Sequence, residues 1–195
     1  MEYVPQWLTS ESWDESGSLD LDADVLSSAP GWPEAVREAL AVAREYGMPS
    51  EVDGMFYPSP HGGAFTQAGP DGGFWRLGQH EPQLGEAYVF EYVLDGNGRV
   101  VLLDPALPAP RFVNTSLVAF LDALAAWDHR NRHLDDFDEL EPEDDDEEED
   151  PAEAARVAFG MEIAAKLKEK DPSAFTDEFR TWWDRVYEEV ELDAV

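Results

Sequence analysis

The sequence has no cysteine, only three lysines, and no apolar run approaching the roughly 20 residues that a membrane-spanning helix requires. Without cysteine there is no disulfide framework, no thiolate zinc site and no thiol nucleophile. Basic residues number 13 against 44 acidic ones, a formal charge of −31. That imbalance disfavours direct contact with nucleic acid or an anionic lipid surface, because both demand a cationic face, and it favours a basic partner. The stretch MEYVPQWLTSESWDESG has neither a basic segment nor a continuous apolar one. A signal peptide is therefore not expected, the expected location is the cytoplasm, and Asn114-Thr115-Ser116 is read as a coincidental sequon.

Apolar residues make up 43% of the 195, with seven tryptophans, enough to bury a sizeable core. The reading is one domain over residues 1–195, with a loosely ordered lead-in at 1–30 and an acidic tether at 135–150. In the lead-in, Trp7, Trp13, Leu19, Leu21 and Leu26 are the candidate anchors. GWPEAVREALAVAREYGMP predicts a helix opened by Pro33, with Val36, Leu40 and Ala43 on one face and a stop at Gly47. Residues 51–113 change to short apolar runs split by Gly, Pro and Asp, the pattern of strands and turns. MFYP, GGFWRLG, AYVFEYVLDGNGRVVLLD and PRFVN are the candidate strands, the third a hairpin closed by Asp95-Gly96-Asn97-Gly98. In its first arm Tyr88, Phe90, Tyr92 and Leu94 share one face, with Val89, Glu91 and Val93 on the other.

NTSLVAFLDALAAWDHR then predicts a helix that Asn114, Thr115 or Ser116 can cap, with Leu117, Leu121 and Leu124 at helical spacing. A further helix opens at Asp150-Pro151, with Val157, Met161 and Ala164 along its stripe and Lys166, Lys168 and Lys170 at its negative end. The last helix places Phe179, Trp182, Trp183, Val186, Tyr187 and Val190 on one face. Helix, strands, then three helices, without strand–helix alternation, gives an α+β class: a largely antiparallel central sheet flanked by helices, with an acidic insertion before two C-terminal helices.

The run HLDDFDELEPEDDDEEEDP carries thirteen acids in the sixteen positions from Asp135 to Asp150. Only Phe137, Leu140 and Pro142 interrupt it, too little apolar surface to offset the entropy of ordering, so disorder is expected. It lacks the spaced ligands and central glycine of a calcium loop.

Chemistry is sparse. His129 and His133 lie four apart and could share a metal with Asp135 or Asp136, but HRNRH lacks the glutamate of the zincin motif, and a structural pair is the favoured reading. SPHGGAF and GPDGGF have no phosphate-loop lysine and read as tight turns. No serine lies in a GxSxG elbow. The expectation is a protein without catalytic residues, metal or cofactor.

The stretch GRVVLLDPALPAPRFVNTSLVAFLDAL, with strand, short loop, strand, NTSL junction and amphipathic helix, resembles the SUKH superfamily of bacterial immunity proteins, its fourth subfamily in particular. LAVAREYGMP, DDDEEEDPAEAARVAF and DPSAFTDEFRTWWDRVYEEVE are similar to further stretches of that subfamily, so that the resemblance spans about residues 33 to 190. It implies an antitoxin that neutralises a cognate polymorphic toxin, often a nuclease or nucleic-acid deaminase, by direct binding and without shared catalytic residues. The expected partner is a basic toxin domain in a one-to-one complex with a monomer. The candidate toxin-contacting residues are Asp135, Asp136, Asp138, Glu139 and Glu141, which offer carboxylates where phosphates would lie. An intracellular adaptor on the same scaffold is the alternative.

Overall fold

The structure, a computed structural model, describes residues 3–15, 17–80, 89–140, 151–176 and 181–192. Among these, five α-helices accompany one five-stranded antiparallel sheet, an α+β fold. In chain order the elements are α1 (Ala23–Ser28), α2 (Glu34–Tyr46), β1 (Gln67–Ala68), β2 (Phe74–Gln79), β3 (Glu91–Leu94), β4 (Val100–Leu103), β5 (Arg111–Asn114), α3 (Leu117–Arg132), α4 (Pro151–Lys170) and α5 (Trp182–Glu191). Short 3₁₀ helices at Ala29–Gly31, Asp135–Leu140 and Pro172–Phe175 join them. The strands lie side by side in the order in which they are made, a meander. None of the described helices is long and apolar enough to cross a membrane.

Local chemistry explains most boundaries. Gly47 ends α2 at φ 78°, and a Cβ there would come within 2.9 Å of the Ser18 hydroxyl, so glycine serves both the left-handed cap and the close approach of the N-terminal segment. Asp95 builds the β3–β4 turn. Its Oδ1 accepts the backbone N–H groups of Asn97 and Arg99 at 2.9 and 3.0 Å, and its Oδ2 takes the Arg99 guanidinium at 2.8 Å. Ser116 caps α3 by accepting the Ala119 N–H.

Alternation along the strands sorts the sheet into two faces. Tyr92, Leu94, Val100, Leu102 and Val113 join the main core with the buried residues of α2, α3, α4 and α5, whereas Ala68, Val93 and Val101 form a small separate cluster on the other face. All the long helices therefore cover one face. The stripe of α5 is fully used, with Trp182, Trp183, Val186, Tyr187 and Val190 buried. Tyr88 and Phe179, placed on these faces by periodicity, lie outside the described residues.

Three expectations differ in detail. MFYP is not a continuous strand; Val52 bridges Phe56 and Tyr57 bridges Gln79, so the segment folds on itself before touching the edge of β2. The face of α4 is rotated: Ala152, Gly160, Ile163, Ala164 and Leu167 are buried, while Val157 and Met161 are half-buried. The reason is Gly160, where a Cβ would lie 2.7 Å from Val190 Cγ1, so that α5 crosses α4 at its smallest residue. The start of the acidic run is not a bare tether. Asp135–Leu140 form a 3₁₀ helix with the Phe137 ring 5.6 Å from that of Phe159 in α4, an aromatic anchor that the abundance of acids obscured. Residues 141–150 lie outside the described residues.

The lead-in is bound to α3 chiefly through one buried side chain. Asp122 is fully buried, and its carboxyl oxygens accept the backbone N–H groups of Gln6, Trp7 and Leu8 and the hydroxyl of Tyr3. Burial, then the neighbouring Asp122, push the Tyr3 phenol above its ordinary range, keeping it a donor. Leu8 and Trp13 are buried in the core, and Trp7, Leu19, Leu21 and Leu26 pack against it.

Candidate functional site

Asp135 and Asp136 are exposed at the beginning of the 3₁₀ helix that follows α3. Asp138 and Glu139 continue the same short helix, and Glu141 lies outside the described residues. The surface beneath them is firmly built. Arg132 reaches Asp128 at 2.7 Å and Glu15 at 2.8 Å, fastening the lead-in to the end of α3. The rings of His129 and His133 lie 4.2 Å apart, and both face the ring of Phe159. What this corner can do chemically is present carboxylates on a short, aromatic-anchored support.

The histidine pair is part of that support. His133 Nδ1 lies 2.8 Å from the backbone oxygen of His129 and donates its proton there. Among the described residues no group of three His, Asp or Glu side chains is arranged to hold a metal ion. Burial, and then the nearby His133, lower the His129 pKa below its ordinary 6.5. The unfolded chain therefore takes up this proton first as pH falls below about 6.5, and folding stability declines with it. Urea unfolding of the wild type is expected to show a midpoint that falls between pH 7.5 and 5.5, with a shallower fall for His129→Asn; identical slopes would remove His129 as the source.

A second polar cluster lies on the outer face of the sheet, and it has the residue types of a hydrolytic triad without the wiring. Arg76 Nε donates to Glu91 Oε1 at 2.7 Å, and both residues are buried. The Ser59 hydroxyl donates to the same Oε1, and His61 Nδ1 lies 3.4 Å from it. A nucleophilic serine needs the histidine as its base, with the acid behind the histidine. Here serine and histidine both address the acid, so the group fastens the 58–66 loop to β2 and β3. Burial works against the Glu91 charge, but the hydrogen bonds from Arg76 and Ser59 hold its pKa below the usual glutamate value.

A third cluster joins the two ends of the helical layer. Asp171 Oδ2 accepts Asn114 Nδ2 at 3.1 Å and the Thr115 N–H at 3.0 Å, and Asn114 Oδ1 accepts the Trp183 indole N–H at 2.7 Å. The Asn114-Thr115-Ser116 junction thus works as a structural joint, with Asn114 2% exposed. Sequence reading missed Asp122 and Asp171 as organising residues. The signal for Asp122 was available, a single acid inside the otherwise apolar LVAFLDALAAW.

These clusters hold the fold together, and the first exposed residues after α3, Asp135 and Asp136, are carboxylates. The sequence profile of the SUKH-4 immunity protein family matches residues 10–189. The chain belongs to that family. No curated protein and no solved structure matches it. As a SUKH-4 protein it takes the role of an immunity protein, whose partner is a cognate toxin. The match runs from residue 10 in the lead-in, through α1, into α5, so it includes Glu15, the partner of Arg132.

Proposed function

We propose that this SUKH-4 protein neutralises, as a monomer in a one-to-one cytoplasmic complex, a toxin domain that acts on nucleic acid, either a nuclease or a deaminase. The supporting observation is the charge of −31. An enzyme that grips nucleic acid needs a basic groove, and an acidic protein of this magnitude competes for that groove and excludes the substrate. The reading assigns contact to Asp135, Asp136, Asp138, Glu139 and Glu141. Long-range attraction raises the capture rate toward about 10⁸ M⁻¹s⁻¹ at low salt.

The test begins with tagged protein purified from its native cells and assay of the co-eluting domain on DNA and RNA. A basic domain recovered in equal amount, and inhibited by the protein, supports the reading; recovery of cellular proteins alone, with no toxin, points to an adaptor instead. With the toxin in hand, the contact assignment is tested by changing the five acids to Asn or Gln. This preserves the Phe137 anchor, which a deletion would remove. Stopped-flow association is expected to slow about tenfold at low salt and to become less salt-dependent, with unfolding midpoints unchanged. Equal rates would place the contact elsewhere.

A further inference from the structure

In a chain with few cations, three of its ten arginines line one cleft. Arg111 comes from β5, Arg130 from α3 and Arg185 from α5, so the fold, and no local run of basic sequence, assembles them. The cavity measures about 720 Å³, and its aromatic walls are Phe90, Trp127 and Trp182. That size, with aromatic walls beside convergent charged groups, is in the range of a small-molecule site.

The three arginines are held differently. Arg130 is 5% exposed, with its guanidinium carbon 4.9 Å from the Trp127 ring centroid and a hydrogen bond to Asn131 Oδ1 at 3.2 Å. It is a cation fixed against an aromatic wall. Arg185 is exposed and ion-paired to Glu189 at 3.2 Å. Arg111 is half-buried, and its side chain forms no hydrogen bond or ion pair among the described residues, although acids outnumber bases 44 to 13 in this chain. Arg37 and Arg44 lie on the exposed side of α2, where water solvates them. Arg111 instead gives up part of its hydration beside a cavity, a loss that a bound anion offsets.

The described acids that line the cleft do not fill that role. Glu189 is committed to Arg185, and Asp104 accepts the Ala106 N–H of its own turn at 2.8 Å. Asp53 is exposed, and it is its backbone oxygen that engages the wall, accepting the Trp127 indole N–H at 3.0 Å.

We infer that this cleft binds a small organic anion, one carboxylate or phosphate carried on a flat apolar body. The flat body lies against the tryptophans, and the anionic group meets Arg111 with its planar, two-pronged donor set. The inference goes beyond the immunity role and stands independently of any toxin.

The probe is 1-naphthoate, with the uncharged 1-naphthalenemethanol as its control, titrated calorimetrically into the full chain. Saturable one-to-one binding is expected, at least about tenfold tighter for the anion. Indole N–H resonances of Trp127 and Trp182 should shift while that of Trp13 stays in place. Arg111→Gln, checked for an unchanged unfolding midpoint, should abolish the preference for the anion, and Arg185→Gln should weaken it. No saturable binding below about 5 mM, equal affinity for the alcohol, an Arg111→Gln variant that retains the preference, or shifts away from Trp127 and Trp182 would each overturn the inference.

Discussion

Asp122→Ala is expected to lower folding stability by about 3 to 5 kcal/mol, a large part of the total for a domain of this size. The carboxyl group is completely buried and receives four donors, the N–H groups of Gln6, Trp7 and Leu8 and the Tyr3 hydroxyl, at 2.7 to 2.9 Å. Alanine leaves those donors facing an apolar helix, and each unsatisfied buried N–H costs about 1 to 3 kcal/mol, less where water can enter. Gln6 and Trp7 lie nearer solvent than Leu8, which keeps the total below the simple sum. An asparagine at this position would retain one acceptor but place an NH₂ group against donors, so Asp122→Asn should cost about 2 kcal/mol or more. Urea unfolding gives the magnitude. Limited proteolysis gives the location, with early cleavage within residues 3–15 of either variant. A loss below about 1 kcal/mol would mean that the lead-in is held by Leu8 and Trp13 packing and the Arg132–Glu15 pair, with little from Asp122.

Gly78→Ala should cost about 3 kcal/mol, at the upper end for overpacking. A Cβ on Gly78 would lie 2.4 Å from Phe56 Cζ and 2.7 Å from the Tyr57 backbone oxygen. Neither can retreat. Phe56 is fully buried between Tyr92 and Phe120, with ring centroids at 6.1 and 6.2 Å, and Tyr57 is pinned to Gln79 by two backbone hydrogen bonds at 2.9 and 2.8 Å. The double variant Phe56→Leu/Gly78→Ala should recover part of the loss, because the shorter side chain vacates the contested space. If Gly78→Ala unfolds within about 0.5 kcal/mol of wild type, the close crossing of the 52–57 segment over β2 is looser than described.

Sequence reading succeeded where a rule is local. Gly47 after an amphipathic run, a cap among Asn114, Thr115 and Ser116 before one, and Asp95-Gly96-Asn97-Gly98 between two apolar stretches each name their own structure, because the groups that satisfy the backbone lie within a few residues. The five-residue stripe of α5 was equally legible. The face of α4 was not, since Val157 and Met161 look better buried than Gly160 until Val190 is known to press there. MFYP has the composition of a strand, and what decides its bridges is the partner at Gln79, more than twenty residues away. The candidate sites divide in the same way. Asp135 and Asp136 are conspicuous in a run of acids, whereas Arg111, Arg130 and Arg185 are isolated in sequence and come to line one cleft only when β5, α3 and α5 meet.

The attachment of the lead-in also bears on how the chain is made. The meander brings each strand beside the one synthesised just before it, so the sheet can grow as the polypeptide emerges. Leu8 must wait for Asp122, 114 residues later, and at ribosomal speeds that interval lasts roughly 6 to 23 s. Throughout it, Trp7, Leu8 and Trp13 have no α3 to dock on. The acids interspersed among them, Glu11, Asp14 and Glu15, keep the waiting segment hydrated until the helix arrives.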